Sequence, residues 1–451
     1  MMYLKIYFWI ILCIVLAGII QACIYPSGDI SWLLQTTGSL LHGGRYGYDF
    51  FETNPPLILY LYIPPVIFNQ FFSAFIVASF KIYIFMLAIG MFFICNITLK
   101  KIFIPQNNNI RYVLLITIIF TFLLLPAGDL GQREHLMAML GLPYFFLAIL
   151  RAERQTVRKS LAYIIGIISG IGFSIKPYFF MAPCLIEIYL IIKNKKLFFW
   201  FRPEILAVIL VVIIYCISII IFTPDYLTVM LPLVNDLYLR GLPYSLWQMC
   251  FSLPVFAWLL LMSSCLMGKD HQPYWQFDCI LLLSATGFLL VFIVQRALWY
   301  YHWIPYLIIS TLLLVKILVC NYLNQDKAQF RIILQTTVAC ITLVGFSWIA
   351  FSFTSYKNLV QAFSTESYIN TTRALVTKYA AGGTIYFLYP FVSGAYPVVD
   401  YAPVRSASRF PGLIFLPGLT QLLDIPENKH VVSKTLREKT MDTQCRDTGF
   451  L

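Results

Sequence analysis

Long apolar stretches separated by short polar ones run through most of the chain. They lie near 3–24, 82–99, 112–127, 136–150, 160–175, 178–192, 204–222, 246–266, 279–294, 304–320 and 332–353. Such runs approach the ~20 residues that a helix needs to cross ~30 Å of hydrocarbon. The pattern predicts an all-α polytopic membrane bundle of about eleven transmembrane helices. The first run is basic at Lys5 and then apolar to Ile24 with no small-residue cleavage site, so it reads as an uncleaved span. One more apolar run, Leu57 to Phe75, is interrupted by Pro64-Pro65 and then by Asn69-Gln70.

Basic residues decide how that run is placed, because cytoplasmic loops collect Lys and Arg. If it lies along the interface and the N-terminus is inside, Lys100, Lys101 and Arg111 fall inside. So do Arg151, Arg154, Arg158 and Lys159, and then Lys193, Lys195, Lys196 and Arg202. If it spans, these three clusters move outside together, or the N-terminus must be outside against Lys5. The expectation is therefore one long external first loop, from Pro26 to about Phe80, carrying interfacial helices. The same parity places 128–135, the Lys176-Pro177 junction, 223–245, 295–303 and the tail from about Thr354 outside.

Composition agrees with a lipid solvent: 60% of the 451 residues are hydrophobic and 12% charged, with mean hydropathy +0.79, against about 25% charged in soluble domains. Charge is denser after residue 353. This suggests a transmembrane catalytic domain over 1–353 and a small external soluble C-terminal domain of α/β type over 354–451. The net charge of +12 sits in short clusters between apolar runs, so it speaks for topology and against nucleic acid. All cysteines except Cys445 lie in or beside apolar runs, without a C-x-x-C pair, and read as packing residues. There is no phosphate-binding glycine loop and no H-E-x-x-H, so an ATP-driven pump and a zinc protease lose support. No internal repeat is visible.

The polar constellations gather in the outer segments. The first reads PSGDISWLLQTTGSLLHGGRYGYDFFETNPPL, with Asp29 before a helix-like stretch to His42, a break at Gly43-Gly44, and then Asp49, Glu52 and Asn54. Its carboxylates suit a divalent cation or a base beside a sugar; alternatively they cap helices, with Asp29 as an N-cap. The second loop crowds Asp129, Gln132, Arg133, Glu134 and His135 against hydrocarbon, which is costly unless they line a polar cavity or Arg133 and Glu134 pair with each other. Lys176, in GFSIKPYFF, stands where Pro177 ends a helix, suited to a phosphate as a point charge or to snorkelling. The loop QRALWYYHW adds Arg296, Tyr300 and His302, with Trp299 and Trp303 able to stack on a sugar or to form an interfacial belt.

An acid soon after the first span, a long external segment ending in F-E-x-x-P-P, and a second external loop with an acid resemble the GT-C superfamily of membrane glycosyltransferases. The similarity is to the branch of protein mannosyltransferases and the lipid A aminoarabinose transferase. It covers roughly residues 1–200, and GDLGQREHL, SIKP and SRFPGLIFLPG look like segments of bacterial members. The resemblance implies inverting transfer of a sugar from a polyprenyl-phosphate donor to a lipid, glycan or protein acceptor. It implies a bacterial inner membrane with the active site and the C-terminal domain on the periplasmic side. By position, Asp29 matches the acid that activates the acceptor hydroxyl, and Asp129 or Glu134 the second-loop acid. Glu52 matches the acid of a Glu-Lys-Pro stretch, although Thr53-Asn54 precede Pro55 here, so the lysine is replaced. Lys176 matches a lysine on the donor phosphate. Arg133, His135, Arg296, Tyr300 and His302 complete the substrate-binding set, and Asp29, Glu52 and Asp129 are the expected ligands of a divalent cation, Mg or Mn.

Asp29 is expected to act as the acceptor-side base in preference to Asp49, because Asp49 follows Gly43, Gly44 and Gly47 whereas the exit of a span preorganises a side chain. The competing readings are a secondary transporter or lipid flippase, whose ionisable groups belong near the midplane, and a non-catalytic subunit of envelope glycan assembly. The last stretch, EKTMDTQCRDTGFL, has no periodicity and receives no role.

Overall fold

The computed structural model describes residues 2–72, 76–103, 108–195, 197–267, 274–323, 364, 367–388, 392, 395–415, 417, 418 and 420. The longer helices are α1 (Met2–Cys23), α2 (Gly28–Leu41), α3 (Leu57–Phe72), α4 (Ile76–Ile102), α5 (Asn108–Leu123), α6 (Arg133–Ala152) and α7 (Lys159–Ser174). They continue with α8 (Met181–Asn194), α9 (Pro203–Phe222), α10 (Leu253–Met267), α11 (Trp275–Gln295), α12 (Ile304–Leu323) and α13 (Tyr368–Ala380). Every apolar run up to residue 320 carries one of them, and the run at 332–353 lies outside the described residues, as does the final EKTMDTQCRDTGFL. Among the described residues, five helices are long and apolar enough to cross a membrane, or six when α1 is counted with the helix after it. Four further runs carry shorter helices: α5 and α7 hold 16 residues, α8 holds 14 and α10 holds 15, about 21–24 Å of rise.

Three boundaries differ from the sequence reading. The helix α3 runs through Pro64 and Pro65 without the two N–H bonds that prolines cannot make. The run at 246–266 is divided into Leu246–Cys250 and α10. Helix α6 begins at Arg133, so Arg133, Glu134 and His135 are its first turn rather than a loop. An acid there complements the positive helix end, and Gln132 occupies the N-cap position.

Clustering of contacts divides the chain into two compact units. The first comprises Met1–Pro26, Ile67–Ile217 and Leu246–Ser364. Its centre is α6, which packs against α4, α7, α8, α11 and α12 and is 94% buried over its apolar window. At the other extreme α9 is 17% buried, with hydropathy 3.4 against 1.5 for α6. Small residues let the helices close up, as membrane helix packing favours. A Cβ at Gly287 of α11 would meet the backbone of Ala182 in α8 at 2.3 Å. Just before α6, Gly131 turns the chain at φ +86°, 2.5 Å from the Phe80 ring by the same measure, so only glycine fits.

The second unit comprises Ser27–Val66, Ser218–Ser245 and Thr365–Leu451, a division unlike the compositional one at residue 353. It holds α2, wide turns over Tyr226–Met230 and Val234–Tyr238, α13, and a parallel pair of two-residue strands, β1 (Thr384–Ile385) and β2 (Arg405–Ser406). Aromatic contacts tie its segments together. The Trp32 ring lies edge-on to Tyr396 at 5.5 Å, and Phe51 stacks on Phe410 at 4.1 Å. The Phe51 amide donates to the Arg409 carbonyl at 2.8 Å, and Arg45 donates twice to the Asp225 carboxylate at 2.9 Å.

Candidate functional site

In the first unit the chain breaks between α7 and the short turn Pro177–Phe180, and Lys176 occupies the break with extended backbone, φ −139°. Proline disfavours helix at the residue before it, and at SIKP, unlike within α3, the helix ends before the lysine. Its Nζ donates to Glu134 Oε1 at 2.5 Å and to Gln295 Oε1 at 2.9 Å. His302 Nε2 stands 3.7 Å from the same Glu134 oxygen, while its Nδ1 is 3.1 Å from the Ala297 carbonyl. Arg133, next to Glu134, adds positive field at that carboxylate and lies over the Tyr301 ring at 5.5 Å.

Lys176 is only 5% exposed, so it is an ion-paired buried lysine and not a snorkelling one. Glu134 is fully buried and pairs with Lys176, 42 positions away, instead of being confined to its neighbour. Lys176 and Arg133 against Glu134 leave one net positive charge. Among the described residues here, Glu134 Oε2 and Gln295 Nε2 are buried with no hydrogen-bond partner in the structure. Orphaned buried polar atoms cost about 1–3 kcal/mol each.

Of the other expected residues in this unit, His135 is fully buried and its Nδ1 accepts the Gly131 N–H at 2.9 Å, bracing the turn before α6. Asp129 ends the short turn Ala127–Asp129 and is half-buried. Arg296 is half-buried at a left-handed position after α11, φ 50°, and Tyr300 is exposed. Gln295 and His302 therefore carry the loop's contribution to Lys176 and Glu134. Gln295 was invisible to motif reading, because a glutamine closing an apolar run looks like a helix boundary.

Elsewhere in the same unit lie buried charges of another kind. Arg151 donates twice to Glu204 at 2.9 Å, Arg202 bonds Glu187 and stands 3.5 Å from Glu204, and the Tyr144 hydroxyl donates to Glu187 at 2.6 Å. Lys316 of α12 donates to Asp278 of α11 at 2.6 Å, both almost fully buried.

In the second unit Ser27 holds the N-cap position of α2, and Asp29 is the second residue of the helix, not its cap; it is half-buried. Glu52 is 3% exposed. One oxygen accepts the Trp32 indole N–H at 2.6 Å, and the other accepts the Asn54 backbone N–H at 2.8 Å and its side-chain amide. Trp32 and Asn54 thus give Glu52 neutral donors. Asp49 is exposed and accepts the Arg45 backbone N–H at 2.7 Å. Arg45 holds the Asp225 carboxyl below the usual carboxylate range, and desolvation pushes Asp400 up to about 6.

Among the described residues no three His, Cys, Asp or Glu side chains gather as a metal ion would require, and Glu52 spends both oxygens on N–H donors.

No protein-family model and no curated protein sequence matches the chain. Its fold does match a solved structure, that of ArnT from Cupriavidus metallidurans bound to undecaprenyl phosphate. The TM-score is 0.54 at 9% identity, covering 98% of this chain and 95% of that one. Over nearly its whole length, this chain has the fold of a membrane protein of the type that its sequence resembles, ArnT.

Proposed function

We propose that the chain is an inverting glycosyltransferase of the GT-C type, moving a sugar from a polyprenyl-phosphate donor to a lipid, glycan or protein acceptor. The observation that carries this is the Lys176 cluster: a buried, net-positive group with two orphaned polar atoms, in a chain with an ArnT-like fold. In this reading the acceptor hydroxyl oxygen attacks the anomeric carbon from the face opposite the phosphate. The new C–O bond forms as the bond to the phosphate oxygen breaks, and the configuration inverts. Asp29 receives the hydroxyl proton. Lys176, Arg133 and the Gln295 Nε2–H donors face the charge developing on the departing phosphate, the electrostatic term that dominates such chemistry. Glu134 holds Lys176 in position, and a polyprenyl phosphate needs little further activation as a leaving group. Asp129 is the second acid near the donor, with Arg296, Tyr300 and His302 in the same loop region.

The wider arrangement follows the charge parity: about eleven spans in residues 1–353, the reaction and residues 354–451 on the periplasmic side of a bacterial inner membrane, and α3 along the interface.

A transporter or flippase reading draws on one observation, the buried Lys316–Asp278 pair between α11 and α12, since intramembrane charges serve relays. Glycolipid and glycan profiling separates the two. A strain carrying Asp29→Asn should lose the same product as a deletion strain while the protein still inserts in the membrane, since removing a general base costs about 100 to 10,000-fold. Wild-type glycans from Asp29→Asn would sink the catalytic assignment. Deletion phenotypes that follow Lys316→Met but not Asp29→Asn would favour transport.

A further inference from the structure

The second unit contains a cavity of about 430 Å³ that the chemistry above does not use. One wall is a single face of α2: Trp32, Gln35, Thr36 and Ser39 line it, at the 3, 4 and 7 spacing that puts side chains on one side of a helix. The opposite contributions are Asp49, from the glycine-containing loop, and Arg405, carried by β2. Tyr396 adds a second ring to Trp32.

Three features define the ligand class. The volume lies in the ~300–1,000 Å³ range of small-molecule sites and suits a mono- or disaccharide. Asp49 and Arg405 put one charge of each sign on the lining, so an anion meets the carboxylate and a cation meets the guanidinium; a neutral molecule meets a complement for each of its donors and acceptors. The lining is held in place: the Trp32 indole, almost fully buried, is fixed by its bond to Glu52, and Gln35 is fixed by donating to Asp400 at 2.8 Å. A polyol whose hydroxyls both donate and accept fits this combination.

We infer that this cavity binds a neutral sugar unit of the acceptor, so that acceptor recognition belongs to the second unit while the phosphate chemistry belongs to the first. The inference rests on the glycosyltransferase reading for the word acceptor, but sugar binding can be measured without any transfer.

The test uses the full chain in detergent on an array of immobilised neutral oligosaccharides of hexose and N-acetylhexosamine, with immobilised peptides as the contrast. Wild type should be retained by a subset of the sugars. Arg405→Ala and Asp49→Asn should each weaken retention about tenfold or more, the scale of a lost charged hydrogen bond. Lys176→Ala should bind the array like wild type, whatever it does to transfer. Retention on peptides alone, no retention on any sugar, or equal retention of wild type and both cavity variants would overturn the inference. Loss of transfer in Lys176→Ala alongside any of those results would leave the glycosyltransferase reading standing without this cavity. Sugar retention in a chain that transfers nothing would do the reverse.

Discussion

Two buried charged clusters, both built partly from α6, differ in a way that hydropathy does not report. At the start of the helix, Glu134 meets Lys176, with Gln295 and His302 alongside. At its other end Arg151 meets Glu204, joined by Arg202 and Glu187, with Tyr144 bonded to Glu187. Their side chains are comparably buried. The second cluster balances two arginines against two glutamates, and its oxygens are taken by guanidinium and hydroxyl donors. The first, with Arg133 beside Glu134, carries a net positive charge, and Glu134 Oε2 and Gln295 Nε2 are unmet. A closed network is how a fold tolerates charge in a dry interior. What differs between the two clusters is the completeness of the hydrogen bonding, more than burial, and it is this difference on which the proposed donor site rests.

The most damaging way to test the contrast is Lys176→Ala. Loss of a cation aimed at developing phosphate charge should lower sugar transfer about 100 to 1,000-fold. Because the change strands Glu134 in the interior, Lys176→Ala with Glu134→Gln serves as the control for folding, and Lys176→Arg should recover part of the rate. If the double variant folds and transfers like wild type, the open cluster is not the donor site.

Arg151→Ala should do the opposite. Breaking one side of a buried pair costs about 3–5 kcal/mol, so thermal unfolding in detergent should occur at a markedly lower temperature, while the surviving folded protein keeps its turnover within about twofold. A collapse of turnover in the folded fraction would erase the distinction between the clusters. Sharper, and smaller, is Gln295→Met: it removes an orphaned donor and one of two acceptors of Lys176, whose charge stays paired with Glu134, and should slow transfer about tenfold, near 1.4 kcal/mol, with only a small drop in melting temperature. Equal melting and equal transfer would show that Gln295 is filler.

Asp400, in the other unit, extends the comparison to pH. Its carboxyl titrates near 6 in the folded chain against about 3.9 unfolded. The unfolded form therefore gives up the proton first, and stability from this group is present below the unfolded value and declines as pH rises through the folded one. Asp400→Asn should flatten that decline, gaining about 1 kcal/mol at pH 7, read as melting at pH 5 and pH 7. An undiminished slope in the variant would assign it to another group.

Apolar run length made the helices legible, and proline made the break at Lys176 legible. Helix starts were harder: Arg133, Glu134 and His135 look like loop residues because they are polar, and only the closeness of α4, α7 and α11 makes their burial possible. Gln295, and the partnership of Asp278 with Lys316, depend on contacts between helices that no local spacing encodes. The second unit was hidden for a similar reason. Composition divides the chain near residue 353, but Ser27–Val66 and Ser218–Ser245 pack with the tail through aromatic pairs whose members look like ordinary interfacial residues one at a time.

The bond from Gln35 to Asp400 joins residues 365 positions apart, and this sets a timetable for biosynthesis. At about 5–20 residues per second, the ribosome needs roughly 20 to 70 s between the two. Throughout that interval the aromatic side chains of Trp32 and Phe51 have no Tyr396 or Phe410 to cover them. The early segment must wait until Asp400 and its neighbours are made, and a ribosome that stalls before Asp400 leaves a chain whose second unit cannot close.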